Sequence, residues 1–242
     1  MASYLKSVIK KISYRQRNKY LNTLKLDDTY ALSLLQPLLI GYDIIPFTGA
    51  SLRPFCLIHI LNDILINDRR TIIEFGSGIS TVIIGRLIKK NKLTATLLSI
   101  EHDEKWAQRL DSLLKKEDLN DSVKVIYAPL TDCHLAIDNN KWYDMEALTK
   151  QTENKKFDLV IIDGPPAWEA INVKARYPAL PFMTNKLAPL FSIYLDDVNR
   201  LGEQSILNLW EQKYSYKFRI TGSSLAYYRQ GASKLTEPFI YY

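Results

Sequence analysis

Cysteine is nearly absent from this chain. Its two copies in 242 residues, Cys56 and Cys133, lie far apart and match no metal or redox spacing. That excludes a disulfide framework and fits a reducing compartment. Long apolar runs are missing too. A membrane-spanning helix needs roughly 18 consecutive apolar residues; the nearest approach, 32–45, is broken by Gln36, Pro37, Gly41 and Asp43 and stopped by Pro46. The start of the chain is basic but has no apolar core of signal-peptide length. The cytoplasm is therefore the expected location, with peripheral membrane attachment through the basic start left open. Histidine is scarce and scattered, at His59, His102 and His134, and the sequence has no internal repeat or low-complexity tract.

What remains is ordinary globular composition, 47% hydrophobic and 24% charged, expected to form one large domain or one domain with a small appendage. The formal charge is +6, with Lys6, Lys10, Lys11, Arg15, Arg17, Lys19 and Lys25 early in the chain. Such a cluster is either a solvated helix face or a surface for phospholipid, nucleic acid or an acidic glycan. No specific nucleic-acid motif accompanies it.

Residues from about 4 to 70 read as helical. Tyr4, Val8 and Ile12 suggest one apolar face, and Leu32, Leu35, Leu38 and Leu39 another. A loop over 46–54 follows, with Ser51 placed to cap a helix from about Pro54 to Asn67. From Thr71 strands alternate with helices. Strands are expected at Ile72–Ile73, 97–101, 123–127, 157–163 and 192–195, and helices around 82–89, 106–114 and 203–213. Continuous apolar strands between helices imply a parallel sheet covered on both faces. Near the end, 216–220 and 225–229 flank Thr221-Gly222-Ser223-Ser224, a hairpin signal that makes the last strand antiparallel. The polar stretch 138–156 is long for a connection and is expected to be an insertion near the mouth of the site.

The informative junction is Glu74-Phe75-Gly76-Ser77-Gly78-Ile79-Ser80-Thr81. An apolar strand ends in an acid, two glycines let the backbone approach a ligand, and a helix N-terminus with two hydroxyls follows. Glu101 ends the next strand a little over 20 residues on, where an acid accepts hydrogen bonds from ribose hydroxyls. A dinucleotide site wants a third glycine where this chain has Thr81. Glu74 under the loop suits a cationic group better than a pyrophosphate. An acid for an amine, hydroxyls for a carboxylate and an acid for a ribose describe S-adenosylmethionine (SAM).

Together with Ser99-Ile100-Glu101-His102-Asp103 and Phe157-Asp158-Leu159-Val160-Ile161-Ile162-Asp163-Gly164-Pro165-Pro166, the loop resembles class I SAM-dependent methyltransferases. The bacterial branch associated with polysaccharide or secondary-metabolite modification is most similar, and 176–181 and 195–200 add to the likeness. The resemblance covers roughly Phe47 to Arg229. It implies that Gly76, Ser77 and Gly78 line the methionine portion with Glu74 near its amino group and Ser80 and Thr81 near its carboxylate. Glu101 would bind the ribose, His102 or Asp103 would border the adenine, and Pro129 and Leu130 would lie against its ring. Asp163 would stand where the methyl leaves sulfur.

Asp163, Asp196 and Asp197 sit at the ends of strands that are neighbours in that fold. Three converging carboxylates suit Mg²⁺, which would lower the pKa of an acceptor hydroxyl. Catechol-type methyltransferases use similar positions, with Asn where this chain has Asp197. One carboxylate acting directly as general base is the alternative. His59 is expected to be structural, at a helix edge. His134 follows the loop expected on the adenine side, with a role near the substrate as one reading, and Trp168 either stacks on an acceptor sugar or aromatic ring or packs in the core.

The expectation is a doubly wound, Rossmann-like α/β sheet of seven strands, the last antiparallel, with a helical extension over 1–46 and a methyltransferase domain over 47–242. The expected reaction is SAM-dependent O-methylation of a sugar, polysaccharide or small-molecule hydroxyl, with Asp163 as base. A non-catalytic SAM-binding scaffold and a nicotinamide-dependent oxidoreductase are the alternatives. The sequence is compatible with an oligomer.

Overall fold

A computed structural model describes residues 2–231 and 234–238, with side chains from Asn18 onward except Tyr20. The side chains of Tyr4, Lys6, Val8, Lys10, Lys11, Ile12, Arg15 and Arg17 therefore lie outside the described residues. The chain opens with α1 (Ala2–Leu35) and, after a loop, α2 (Pro54–Ile66). The alternating part runs β1 (Thr71–Phe75), α3 (Ile79–Asn91), β2 (Thr96–Glu101), α4 (Glu104–Lys116) and β3 (Val123–Tyr127). A small hairpin of β4 (Leu130–Asp132) and β5 (Lys141–Tyr143) follows, then α5 (Met145–Thr152), β6 (Phe157–Ile162) and α6 (Ala179–Met183). Last come β7 (Leu187–Leu195), α7 (Leu201–Tyr214), β8 (Arg219–Thr221) and β9 (Leu225–Gln230). None of the described helices is long and apolar enough to cross a membrane.

The main sheet has seven strands in the order β3-β2-β1-β6-β7-β9-β8. β1, β2, β3, β6 and β7 are parallel, and β9 inserts antiparallel between β7 and β8. Successive strand residues point to opposite faces, and both faces are covered. Ile72, Leu97, Leu159, Ile161 and Tyr194 meet α1, α2, α3 and α4, while Ile73, Leu98, Ile100, Val160, Ile162 and Leu195 meet α5, α6 and α7. This double burial explains why the strands read as unbroken apolar runs.

Three local expectations give way. Ser51 does not cap α2: Arg53 is the N-cap residue, and the Ser51 hydroxyl instead accepts from the Thr48 N–H at 3.1 Å. Leu32 faces solvent while Ala31 and Leu35 are buried, because α1 turns a different stripe to the core than the leucine spacing suggests. The stretch 138–156 is no loose polar insertion, although its Tyr143 does reach the cleft at the strand ends. Its Trp142, Tyr143 and Leu148 are fully buried beneath Phe75 and Phe182, with the Phe75 and Trp142 rings 5.5 Å apart. The aromatic anchors outweigh the polar residues around them.

The N-terminal segment shares the core, since Ala31, Leu35, Leu38 and Ile45 pack with α2 and α3. A buried arginine fastens it. Arg86 of α3 binds both oxygens of Glu117 at 2.7 Å, donates to Leu38 O at 3.0 Å and lies 4.2 Å from the Tyr42 ring centroid. His59 is fully buried within α2 rather than at a polar edge. Its Nε2 accepts from Arg229 at 2.9 Å, and its ring packs edge-on to Tyr194 and Tyr227. Burial, then the Arg229 charge, hold its pKa down at about 3.

Candidate active site

Strand register brings the site together. Phe75 pairs with Ile100 and Ile162, and Ile162 with Leu195. The next residues along, Gly76, Glu101, Asp163 and Asp196, therefore lie level at the carboxyl ends of four neighbouring strands. Strand order reverses between β1 and β6, and open α/β sheets bind ligands at this kind of switch point. A cleft of about 370 Å³ opens here, a size that suits a small-molecule ligand. Gly76, Ser77, Gly78, Ser80, Glu101, His102 and Asp163 line it, joined by Asp103, Trp106, Tyr143, Trp168, Arg176, Asp197, Arg200 and the loop from Pro46 to Leu52.

The two glycines do different work. Gly76 has φ +94°, and a Cβ on it would lie 2.9 Å from the backbone of Asp163 and Gly164, so this position needs glycine. Gly78 is extended at φ −173° with open space around it. It needs no glycine for its own backbone and leaves room in the cleft.

Glu101 closes the loop from the side. Its Oε2 accepts from the Ser77 hydroxyl at 2.6 Å and the Ser77 N–H at 3.2 Å, and its Oε1 from the N–H groups of His102 and Asp103, both at 2.7 Å. Burial works to raise its pKa, but the bonds from His102, Asp103 and Ser77 outweigh it and hold the group below the usual range. Glu101 is thus a fixed carboxylate at the cleft wall.

Glu74, Thr81, Pro129, Leu130 and Asp196 do not line the cleft. Glu74 is fully buried behind the loop. Its Oε2 accepts from Thr81 Oγ1 at 2.5 Å and Ser99 Oγ at 2.8 Å, while Thr81 Oγ1 accepts from the Gly78 N–H at 3.0 Å. Burial pushes Glu74 up, against the bonds from Ser80, Thr81 and Ser99. Both residues brace the loop from below. Pro129 and Leu130 are half-buried, with Pro129 O accepting from the Asp144 N–H and Leu130 packed on the core.

On the opposite wall three carboxylates converge. Asp163, Asp196 and Asp197 each place an oxygen within 4.8 Å of the others. Asp197 reaches the group because its own φ is +63°, which turns the chain back into the cleft. Arg176, from the loop before α6, sits between two of them, Asp163 and Asp197. Its Nη2 lies 3.3 Å from Asp163 Oδ1 and 3.0 Å from Asp197 Oδ2, and it donates to Asp163 O at 3.1 Å; Nη1 donates to Asp196 O at 3.2 Å and Nε to Pro165 O at 3.3 Å. Arg200 Nη1 adds a contact to Asp197 at 2.9 Å. Burial, then Asp196 and Asp197, push Asp163 well above the usual carboxylate range, while burial and Asp197 raise Asp196 to about 7. Burial would lower Arg176, but Asp163, Asp197 and Glu203 outweigh it and keep the guanidinium charged.

Several residues here escape a reading of the sequence. Arg176 and Arg200 sit in segments whose own residues point to no role, and Tyr143 sits in the polar stretch 138–156. Their signal is non-local, because each acquires its neighbours only by packing. Trp168 is 61% exposed at the cleft, which removes it from the core. His134 is exposed away from the cleft.

No curated protein matches the chain at a significant level. Solved structures match its fold. A candidate caffeoyl-CoA O-methyltransferase from Staphylococcus aureus aligns with TM-score 0.56 and 16% identity over 85% of this chain and 100% of that one. The methyltransferase PaMTH1 from Podospora anserina, bound to S-adenosylhomocysteine, aligns at 0.55 and 15% over 84% and 88%. The O-methyltransferase TomG from Streptomyces achromogenes, in complex with SAM, aligns at 0.50 and 13% over 78% and 92%. A family model described as a methyltransferase domain matches residues 73–198, just over half the chain. Its span holds the glycine loop, Glu101, Asp163 and both following aspartates, and the chain accordingly belongs to the class I SAM-dependent methyltransferases.

Proposed function

We propose that this enzyme transfers the methyl group of SAM to a hydroxyl oxygen of a small-molecule acceptor, with Asp163 as general base. The observation that carries the reading is the pairing of two unlike walls across one cleft. A glycine loop braced by an ionised Glu101 faces an aspartate whose burial raises its proton affinity. SAM supplies an electrophilic methyl on a sulfonium. The chain's part is to hold both partners in line and to take the acceptor's proton, and positioning of this kind contributes most of the rate in such displacements.

On the donor side, Gly76, Ser77 and Gly78 give close backbone approach, Ser80 offers a hydroxyl at the helix start, and Glu101 accepts from ribose hydroxyls. His102 and Asp103 border the base. Glu74 and Thr81 act through the loop they brace. On the acceptor side, Asp163 Oδ1 stays with Arg176, leaving Oδ2 to receive the proton. A raised carboxyl pKa makes it a better base toward a hydroxyl. The need for a base favours oxygen over a neutral amine, which attacks without prior deprotonation. Trp168 gives a flat face for an aromatic or sugar ring.

Mg²⁺ does not fit the three aspartates. A bound Mg²⁺ sits about 2.1 Å from its oxygen ligands, and the space between Asp163 Oδ1 and Asp197 Oδ2 is taken by Arg176 Nη2. Residues 47–242 form the catalytic unit, and 1–46 an accessory segment pinned by Arg86.

Calorimetric titration with SAM and with NAD⁺ tests the donor side: SAM binds with the oxidised dinucleotide silent, and the reverse result defeats the reading. Methyl transfer from labelled SAM across phenolic, sugar and amine acceptors tests the other side. Turnover confined to hydroxyl acceptors and abolished in Asp163→Asn is the expected outcome; amine-only turnover overturns it.

A further inference from the structure

We infer that Arg176 is a built-in counter-ion that takes the place of a divalent metal at the acceptor wall and holds Asp163 in position for its work. The inference rests on the methyltransferase reading of the cleft. Three carboxylate oxygens within 4.8 Å of one another would bind a hard cation if nothing else balanced them. Here a single nitrogen, Arg176 Nη2, bridges Asp163 Oδ1 and Asp197 Oδ2, at 3.3 and 3.0 Å. The guanidinium cannot drift away, because three further contacts fix its plane: the carbonyls of Asp163, Asp196 and Pro165 at 3.1, 3.2 and 3.3 Å. Its side chain is 3% exposed. A planar, permanently charged fork suits this task in a way a flexible ammonium does not.

Charge balance points the same way. Arg176 and Arg200 together carry the formal charge of one divalent ion, and both contact Asp197. Glu203 at the start of α7 lies 3.9 Å behind Arg176 and is itself fully buried. With four carboxyls around two guanidiniums, the wall is still acid-rich, so deleting Arg176 leaves buried negative charge that must recruit another cation or a proton.

Mn²⁺ serves as the probe, followed by electron paramagnetic resonance on the full chain, with SAM titrated separately. Wild type is expected to show no Mn²⁺ site that depends on Asp163. Arg176→Ala gains one, at least about tenfold tighter than any in wild type, and the added Asp163→Asn change removes it. Arg176→Gln, which keeps the length and part of the hydrogen bonding, gives the same gain in a better-folded background should the alanine variant be unstable. Arg176→Lys gains no site, because its charge remains. Added guanidinium ion displaces Mn²⁺ from Arg176→Ala in competition. A wild-type Mn²⁺ site lost in Asp163→Asn overturns the inference, as does a folded Arg176→Ala or Arg176→Gln with no gain. Failure of SAM to bind would instead strike the functional reading, since the metal titration does not use it.

Discussion

Gly76 and Gly164 pass each other with no room for a methyl group. A Cβ on Gly164 would lie 2.7 Å from Gly76 Cα, and one on Gly76 would lie 2.9 Å from Gly164 N. The glycine loop after β1 and the Gly164 turn after β6 are therefore pressed together, and the distance between the two walls of the cleft is set at this crossing.

Gly76→Ala meets both this contact and a left-handed φ of +94°. It should cost about 2–4 kcal/mol of stability in urea unfolding and weaken SAM binding. Gly78→Ala is the control. Extended at φ −173° with open space around it, it should leave stability within about 0.5 kcal/mol of wild type. Equal destabilisation by the two changes would contradict the geometry.

Glu101→Ala removes the acceptor for Ser77, His102 and Asp103 as well as the proposed ribose ligand. Hydrogen bonds to a charged group contribute about 1.5–3 kcal/mol, so SAM affinity should fall about 10- to 100-fold by calorimetry. Unchanged affinity would mean that the pocket has been assigned to the wrong wall.

His59 makes the fold acid-sensitive. It is neutral in the native state, with a pKa of about 3 against 6.5 for the free side chain. Above pH 6.5 neither state binds the proton and the full stability is present. Below it the unfolded chain takes up a proton that the folded one refuses, so stability falls as pH drops from 6.5 toward 3. His59→Phe keeps edge-on packing against Tyr194 and Tyr227. It should flatten the slope of unfolding free energy between pH 7 and 5, even if it is less stable overall. A slope as steep as wild type would show that another group carries it.

Arg86→Met tests how the N-terminal segment is held. It strands Glu117 and frees the carbonyls of Leu38 and Asp43. Breaking a buried pair from one side costs about 3–5 kcal/mol. Hydrogen exchange should speed up around 36–45 more than in the sheet, and uniform acceleration would argue that the segment has no local anchor.

Local patterns made much of this architecture readable. Apolar runs over 123–127 and 157–162, the hairpin around Gly222 and the Gly76-Ser77-Gly78 loop are written in neighbouring residues, so the seven-strand sheet and the loop that lines the cleft followed. The failures have two causes. Ser51 is held locally by the Thr48 N–H, whereas the stretch 138–156 is decided by partners distant in the chain, such as Phe75 and Phe182 around Trp142, and the exposure of Leu32 by which stripe of α1 meets the core.

The sequence by itself determined that a glycine loop and an acid, Glu101, meet at the carboxyl ends of the parallel strands, because strand, loop and helix start are local and Glu101 follows at a short interval. It also put Asp163, Asp196 and Asp197 at adjacent strand ends. Only the tertiary structure decided what those carboxylates face. The left-handed turn at Asp197 and the burial of Arg176 among three carbonyls set a guanidinium between Asp163 and Asp197. Such an arrangement depends on packing between the loop before α6 and two strand ends, and no spacing within one segment encodes it.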